Sequence, residues 1–140
     1  MTVAEIMTTE VITTGLDDTL GGIRNLFGLH HFHHIPILED NKLVGIVSER
    51  DVLRALSPSV DSASADIHAL NTLKKRMHQV MTRQVHTISP DDTIEEAASI
   101  FVEMQFNCLP VLDQSGHVVG ILTKTDILKC LLGQTVPASN

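Results

Sequence analysis

Two stretches of the chain carry residue types whose spacing could do chemistry. Gly45-Ile46-Val47-Ser48-Glu49-Arg50-Asp51 returns later as Gly120-Ile121-Leu122-Thr123-Lys124-Thr125-Asp126. In each copy a glycine is followed three residues on by a hydroxyl, and three further on by an aspartate. A carboxylate so placed can accept from a pair of hydroxyls, glycine leaves the backbone open to close approach, and a helix start attracts phosphate. The same residues also spell a capping box, in which Ser48 or Thr123 opens a helix and the aspartate reaches back to a backbone N–H. A single copy reads as a cap. The second copy, inside a larger repeat, turns the balance towards a binding site.

Other candidate chemistries are weaker. The run His30-His31-Phe32-His33-His34 offers metal-ligating imidazoles. Adjacent residues of an extended segment point opposite ways, so at most alternate histidines could share an ion. The second copy has no matching Cys/His cluster, and His30 and His31 suit a helix C-terminus, so no metal ligand is assigned. There is no nucleophile elbow and no P-loop, and Gly21-Gly22 lacks a surrounding phosphate motif. Asp51 and Asp126 fit caps and ligand acceptors better than an acid–base pair. The expectation is a protein that is not an enzyme and has no catalytic residue.

The composition frames these sites. A chain of 140 residues with 43% hydrophobic and 19% charged residues can bury a core, and with 3% aromatics that core is aliphatic. A net charge of −7 argues against nucleic-acid or anionic-membrane partners, which need a basic patch. Cys108 and Cys130 show no CxxC spacing and suit a reducing compartment. The start MTVAEIMTTE has no signal-peptide pattern, and no apolar run is long enough for a bilayer. A soluble cytoplasmic protein is expected.

The elements that must position the sites can be read in order. Thr2-Val3-Ala4-Glu5 opens a short helix through Ile6 and Met7, and Val11 to Thr14 reads as a strand. Asp17-Asp18-Thr19 caps a helix with Leu20, Ile23, Leu26 and Phe27 on one face, ending near His30 or His31. Ile35 to Leu38 and Leu43 to Val47 make a hairpin around Glu39-Asp40-Asn41-Lys42. The Ser-rich stretch 57–66 reads as a loop, and Ile67, Leu70, Leu73 and Met77 predict a helix beyond it.

Shifted by 74 residues, the pattern returns. Met7-Thr8 falls on Met81-Thr82, Asp17-Asp18-Thr19 on Asp91-Asp92-Thr93, Phe27 on Phe101, and Ile35-Pro36-Ile37-Leu38 on Leu109-Pro110-Val111-Leu112. Gly116 is one extra residue, after which the shift is 75. The fold expected is α/β (α+β): two tandem β-α-β-β-α repeats packed as one pseudo-two-fold module. The divisions are 1–57 for the first repeat, 58–66 for a linker loop, 67–133 for the second repeat and 134–140 for a flexible tail.

This doubled unit, with its Gly-x-x-[Ser/Thr]-x-x-Asp ends and apolar-Pro strands, resembles the tandem cystathionine-β-synthase (CBS) domain pair, or Bateman module, of the stand-alone bacterial type. The resemblance covers about residues 3 to 132. It implies a regulatory module that binds an adenosine-containing ligand in clefts between the repeats and signals to a separate protein. AMP, ADP or ATP is the foremost ligand implied, with NAD and S-adenosylmethionine as alternatives. Carried over by position, Asp51 and Asp126 match ribose acceptors, and Ser48 and Thr123 match hydroxyls that reach a phosphate. Thr13 and Thr87, with the residues before Pro36 and Pro110, match an adenine edge.

One group then holds Gly45, Ser48 and Asp51 with Thr87, Cys108 and Leu109. The other holds Gly120, Thr123 and Asp126 with Thr13, His34 and Ile35. His33 and His34 match basic residues that some relatives place against phosphates, where the second repeat has Asn107 and Cys108. On that grouping phosphorylated ligands should depend more on Asp126. Arg24, Arg50 and Lys124 are further cationic candidates. A homodimer through the amphipathic helices is expected, with Gly21-Gly22 permitting close approach across it. The alternative functions are a ligand-independent dimerisation scaffold and a His-cluster metal-binding protein. Which adenosine ligand binds, whether both clefts fill, and which protein is regulated stay open at this level.

Overall fold

The computed structural model describes residues 1–133, so the expected tail at 134–140 lies outside the described residues. In chain order the elements are α1 (Val3–Ile6), β1 (Thr14–Gly15), α2 (Leu20–Leu29), β2 (His34–Glu39), β3 (Lys42–Ser48), α3 (Glu49–Ala55), α4 (Ile67–Asn71), a 3₁₀ turn (Thr72–Lys74), α5 (Met77–Val80), α6 (Ile94–Met104), β4 (Cys108–Leu112), β5 (Val118–Thr123) and α7 (Lys124–Leu131). The mixed α/β class and the tandem repeat are as the sequence indicates. Among the described residues no helix is long and apolar enough to cross a membrane.

The chain folds into two compact units that cut across the sequence repeats. One is residues 1–12, 41–43 and 85 onward; the other is residues 13–40 and 44–84. Each repeat thus gives its leading segment to the unit holding the other repeat's hairpin. In the first unit, Val3 N donates to Asp92 O at 2.8 Å and Thr8 bridges Ile121. In the second, Met77 N donates to Asp18 O at 3.0 Å and Thr82 bridges Ile46. These bonds are related by the repeat shift. They satisfy N–H groups at the starts of α1 and α5, helices too short to be stable alone.

Each unit has its own aliphatic core. Leu20, Ile23, Phe27, Ile35, Ile37, Val47, Val52 and Met77 form one cluster. Val3, Ile6, Ile94, Phe101, Leu109, Val111, Leu122 and Ile127 belong to the other. The apolar face predicted for α2 is the face that is buried, through Leu20, Ile23 and Phe27. Thr19 and Thr93 cap α2 and α6, accepting from Gly22 N at 3.3 Å and Glu96 N at 3.1 Å. Asp18 does a different task from the capping expected of it. Its carboxylate accepts from Gly15 N and the Thr14 hydroxyl, and the Gly15 N–H followed by that hydroxyl lowers its pKa. Asp92 accepts from Ser89 N in the same way, at 2.9 Å.

Two local expectations change. The strand read at Val11–Thr14 is laddered only at Thr14–Gly15, parallel to Ile37 and Leu38, and its counterpart is a single bridge from Ile88 to Val111. Only the residue that reaches the Pro-containing strand finds a ladder partner; Thr13 is exposed. The helix expected from Ile67 to Met77 is broken. Thr72 Oγ1 donates back to Ala69 O at 2.6 Å and accepts from Ser57 N, which ends α4, and Lys75 is extended (ψ 143°). Of the apolar residues that predict that helix, Ile67 and Leu70 are exposed. Gly21 also packs within its own chain, where a Cβ would lie 3.4 Å from Leu73 O.

The two hairpins differ at their turns. Asp40 and Asn41 both take positive φ (51° and 62°), the mirror-image turn that matches strand twist. The other turn is held by Asp113, whose Oδ1 accepts from Ser115 N and His117 N at 2.9 Å each. Its extra residue, Gly116, takes φ 84°.

Candidate functional site

Both doubled motifs fold as a strand that ends at a hydroxyl and turns directly into a helix. Ser48 closes β3 and caps α3: Asp51 N donates to Ser48 Oγ at 3.0 Å, and Ser48 N donates to Asp51 Oδ2 at 2.9 Å. Thr123 closes β5 and caps α7 with the same pair of bonds, at 3.2 and 3.0 Å. The capping box is therefore formed twice. Each carboxylate is held by its backbone partner at a fixed place beside the strand end.

The surroundings of the two carboxylates are unequal. Asp51 is half-buried, whereas Asp126 is only 5% exposed. Burial raises the Asp126 pKa, against the lowering effect of the Thr123 bonds and of Lys129. Cys108 is the ladder partner of Thr123, and burial first, then the Asp126 charge, push its thiol up to about 12. The thiol therefore stays protonated and uncharged at neutral pH.

In the first repeat the place of Cys108 is taken by His34, at the start of β2. Burial lowers its pKa first and the neighbouring His33 lowers it further, while Asp51 opposes both. The aspartate whose charge acts on His34 is that of its own repeat. His33 is mostly exposed and pairs with Glu49 at 2.9 Å, while Glu49 N donates to His33 O at 3.0 Å. His30 stacks on Phe32 with centroids 5.2 Å apart. Among the described residues no group of three or more His, Cys, Asp or Glu side chains is placed to hold a metal ion.

The remaining predicted site residues fall into two kinds. Ile35 and Leu109 have fully buried side chains, so only their backbone could meet a ligand. Thr13 is exposed just before β1, and Thr87 is half-buried just before the bridge at Ile88. Gly45 and Gly120 have a packing reason that sequence reasoning missed. A Cβ on Gly45 would lie 2.5 Å from Met81 Sδ and 3.0 Å from Thr82 O. On Gly120 the same distances separate it from Met7 Sδ and Thr8 O. The Met-Thr pairs that cover these glycines recur with the repeat, but the sequence does not say which glycine each will cover. Glycine at these two places admits protein, whatever else it admits.

The CBS domain family model matches residues 3–58 and 77–133. An uncharacterised protein of Methanocaldococcus jannaschii, MJ1426, is 30% identical over 94% of this chain and 92% of its own length. Several longer curated relatives match over only 24–46% of their length. Among solved structures, the CBS domain pair of protein MJ0100 in complex with 5′-methylthioadenosine and S-adenosyl-L-methionine is 27% identical (TM-score 0.78), over 95% of this chain and 97% of that one. CBSX2 in complex with AMP is 26% identical (TM-score 0.76), over 94% and 96%.

Proposed function

Because the chain belongs to the CBS-domain family, we propose that it is a regulatory module that senses an adenosine-containing ligand and signals to a separate protein in the cytoplasm. The observation that carries this is the doubled strand–hydroxyl–aspartate corner, with each carboxylate held in place by a backbone N–H at 2.9–3.0 Å. In this proposal Asp51 and Asp126 accept the ribose hydroxyls, while Ser48 and Thr123 reach towards phosphate. Thr13 and Thr87, with the backbone at His34–Ile35 and Cys108–Leu109, hold adenine. Gly45 and Gly120 keep the strand ends in place through their methionine contacts. AMP, ADP or ATP is the foremost ligand, with NAD and S-adenosylmethionine as further members of the class. Support comes from similar proteins solved with AMP and with S-adenosyl-L-methionine. The role is regulatory rather than catalytic.

A homodimer is part of the proposal. Each unit exposes large apolar side chains on its helices: Leu29 and Leu53 in one, Val102, Leu128 and Leu131 in the other. Such residues suit a second copy. A competing function, a ligand-independent dimerisation scaffold, is favoured by the capping boxes, which by themselves account for both aspartates. With no Trp or Tyr, the protein is nearly transparent in the near ultraviolet. Co-purified adenine would dominate its absorbance, and mass spectrometry of heat-released ligand would name it. Protein that carries no adenosine compound and binds none on titration would leave the scaffold.

A further inference from the structure

An open depression of about 290 Å³ lies within the unit of residues 13–40 and 44–84, along α3 and the start of α5, lined by Asp51, Arg54, Ala55, Lys75, Gln79 and Val80. Its polar groups are mostly donors. Lys75 Nζ gives one N–H to Ala55 O at 2.8 Å, leaving two. Gln79 Oε1 accepts from Arg76 N at 2.8 Å, which leaves its NH₂ as donor. Asp51 Oδ2 is already engaged by Ser48 N. The side-chain charge of the lining is two cations against one carboxylate, a net of +1.

The repeat provides an internal control. The shift that relates the two repeats places Asp126, Lys129, Cys130, Met1, Glu5 and Ile6 at the equivalent positions. There Met1 brings its α-ammonium in place of the Lys75 side chain, Met1 Sδ lies 3.8 Å from Cys130 Sγ, and Glu5 adds a carboxylate. The charge there is two cations, Lys129 and the Met1 ammonium, against two carboxylates, Asp126 and Glu5, a net of zero. The corner of the first repeat thus carries a positive charge that its counterpart lacks, in a chain that is acidic overall.

We propose that the depression beside Asp51 is a binding site for a small oxyanion of the phosphate class, built from Arg54, Lys75 and Gln79, and that the second repeat has no such site. Two sources share this chemistry, free phosphate and the phosphoryl group of a nucleotide; the second rests on the adenosine proposal and the first does not.

Calorimetric titration of the full chain with inorganic phosphate, AMP and adenosine separates these. Phosphate, AMP or both should bind more weakly as salt rises. Arg54→Gln, an exposed position, should weaken that binding roughly tenfold. Lys75→Gln should act in the same direction, and Lys129→Gln should leave it unchanged. A loss for AMP with adenosine unchanged assigns the anion to the nucleotide; a loss for phosphate alone assigns it to the free ion. Phosphate binding that survives while AMP and adenosine fail to bind keeps this site and removes the adenosine proposal. The site is overturned if wild type binds neither phosphate nor AMP, if Arg54→Gln changes neither, or if Lys129→Gln causes an equal loss.

Discussion

Asp51 and Asp126 sit in the same hydrogen-bonded corner and are different acids. Their capping bonds agree to within a few tenths of an ångström. One carboxylate is half-buried with a histidine nearby, while the other is 5% exposed beside a neutral thiol, with its pKa raised by burial. A local motif of seven residues sets backbone geometry, because the partners lie within the motif. Ionisation is set by whatever packs from elsewhere, and there the repeats have diverged. The comparison separates what duplication preserves from what it leaves free to change.

The largest expected effect falls on what is preserved. Gly45→Ala and Gly120→Ala should each destabilise by about 1–3 kcal/mol, since a methyl must displace a methionine and crowd a carbonyl. Urea unfolding of the two variants should give similar losses. A loss at one glycine only would break the equivalence of the two corners.

The next effect sharpens the difference. Without ligand, Asp51→Asn should cost about 0.5–1 kcal/mol at neutral pH through its weakened cap. Asp126→Asn should cost less, because it also removes a buried charge. The folded-state pKa of Asp126 is raised. Its contribution to stability is therefore complete below the unfolded value and is lost as pH rises through the folded one. Wild type should accordingly gain stability relative to Asp126→Asn on acidification into the range where free aspartate titrates. A relative loss there would contradict the burial argument.

The smallest effect tests a contact that only one repeat has. Arg24 Nη1 lies 3.0 Å from both oxygens of Asp61, tying α2 to the Ser-rich loop, and the two side chains are 32% and 77% exposed. Arg24→Ala should lower stability by about 0.2–1 kcal/mol, and less in high salt. A loss that does not shrink with salt would assign Arg24 a packing role instead.

Much of this was legible in the sequence because the repeat wrote it twice. The capping boxes at Thr2, Ser48 and Thr123, the hairpins and the buried face of α2 all depend on neighbours a few residues away, and local pattern reports them. The first strands were overread, since β-branched residues at Val11 to Thr13 have the propensity but no ladder partner. The exchange of leading segments between units was not legible: nothing in Met7-Thr8 or Met81-Thr82 says which glycine it will cover. Nor was the unequal burial of Asp51 and Asp126, which arises from packing that their shared spacing does not encode. The cationic pair Arg54 and Lys75 lies 21 residues apart and joins only once α5 meets α3.

The central claim is that the two aspartates hold a ribose. Calorimetric titration of AMP into wild type, Asp51→Asn, Asp126→Asn and the double variant tests it most directly. Loss of charge-assisted hydrogen bonds worth about 1.5–3 kcal/mol predicts affinity falling roughly 10- to 150-fold at the altered site, with the other site nearly unaffected. Unchanged affinity in a double variant that still folds would contradict the account and leave the aspartates as caps alone.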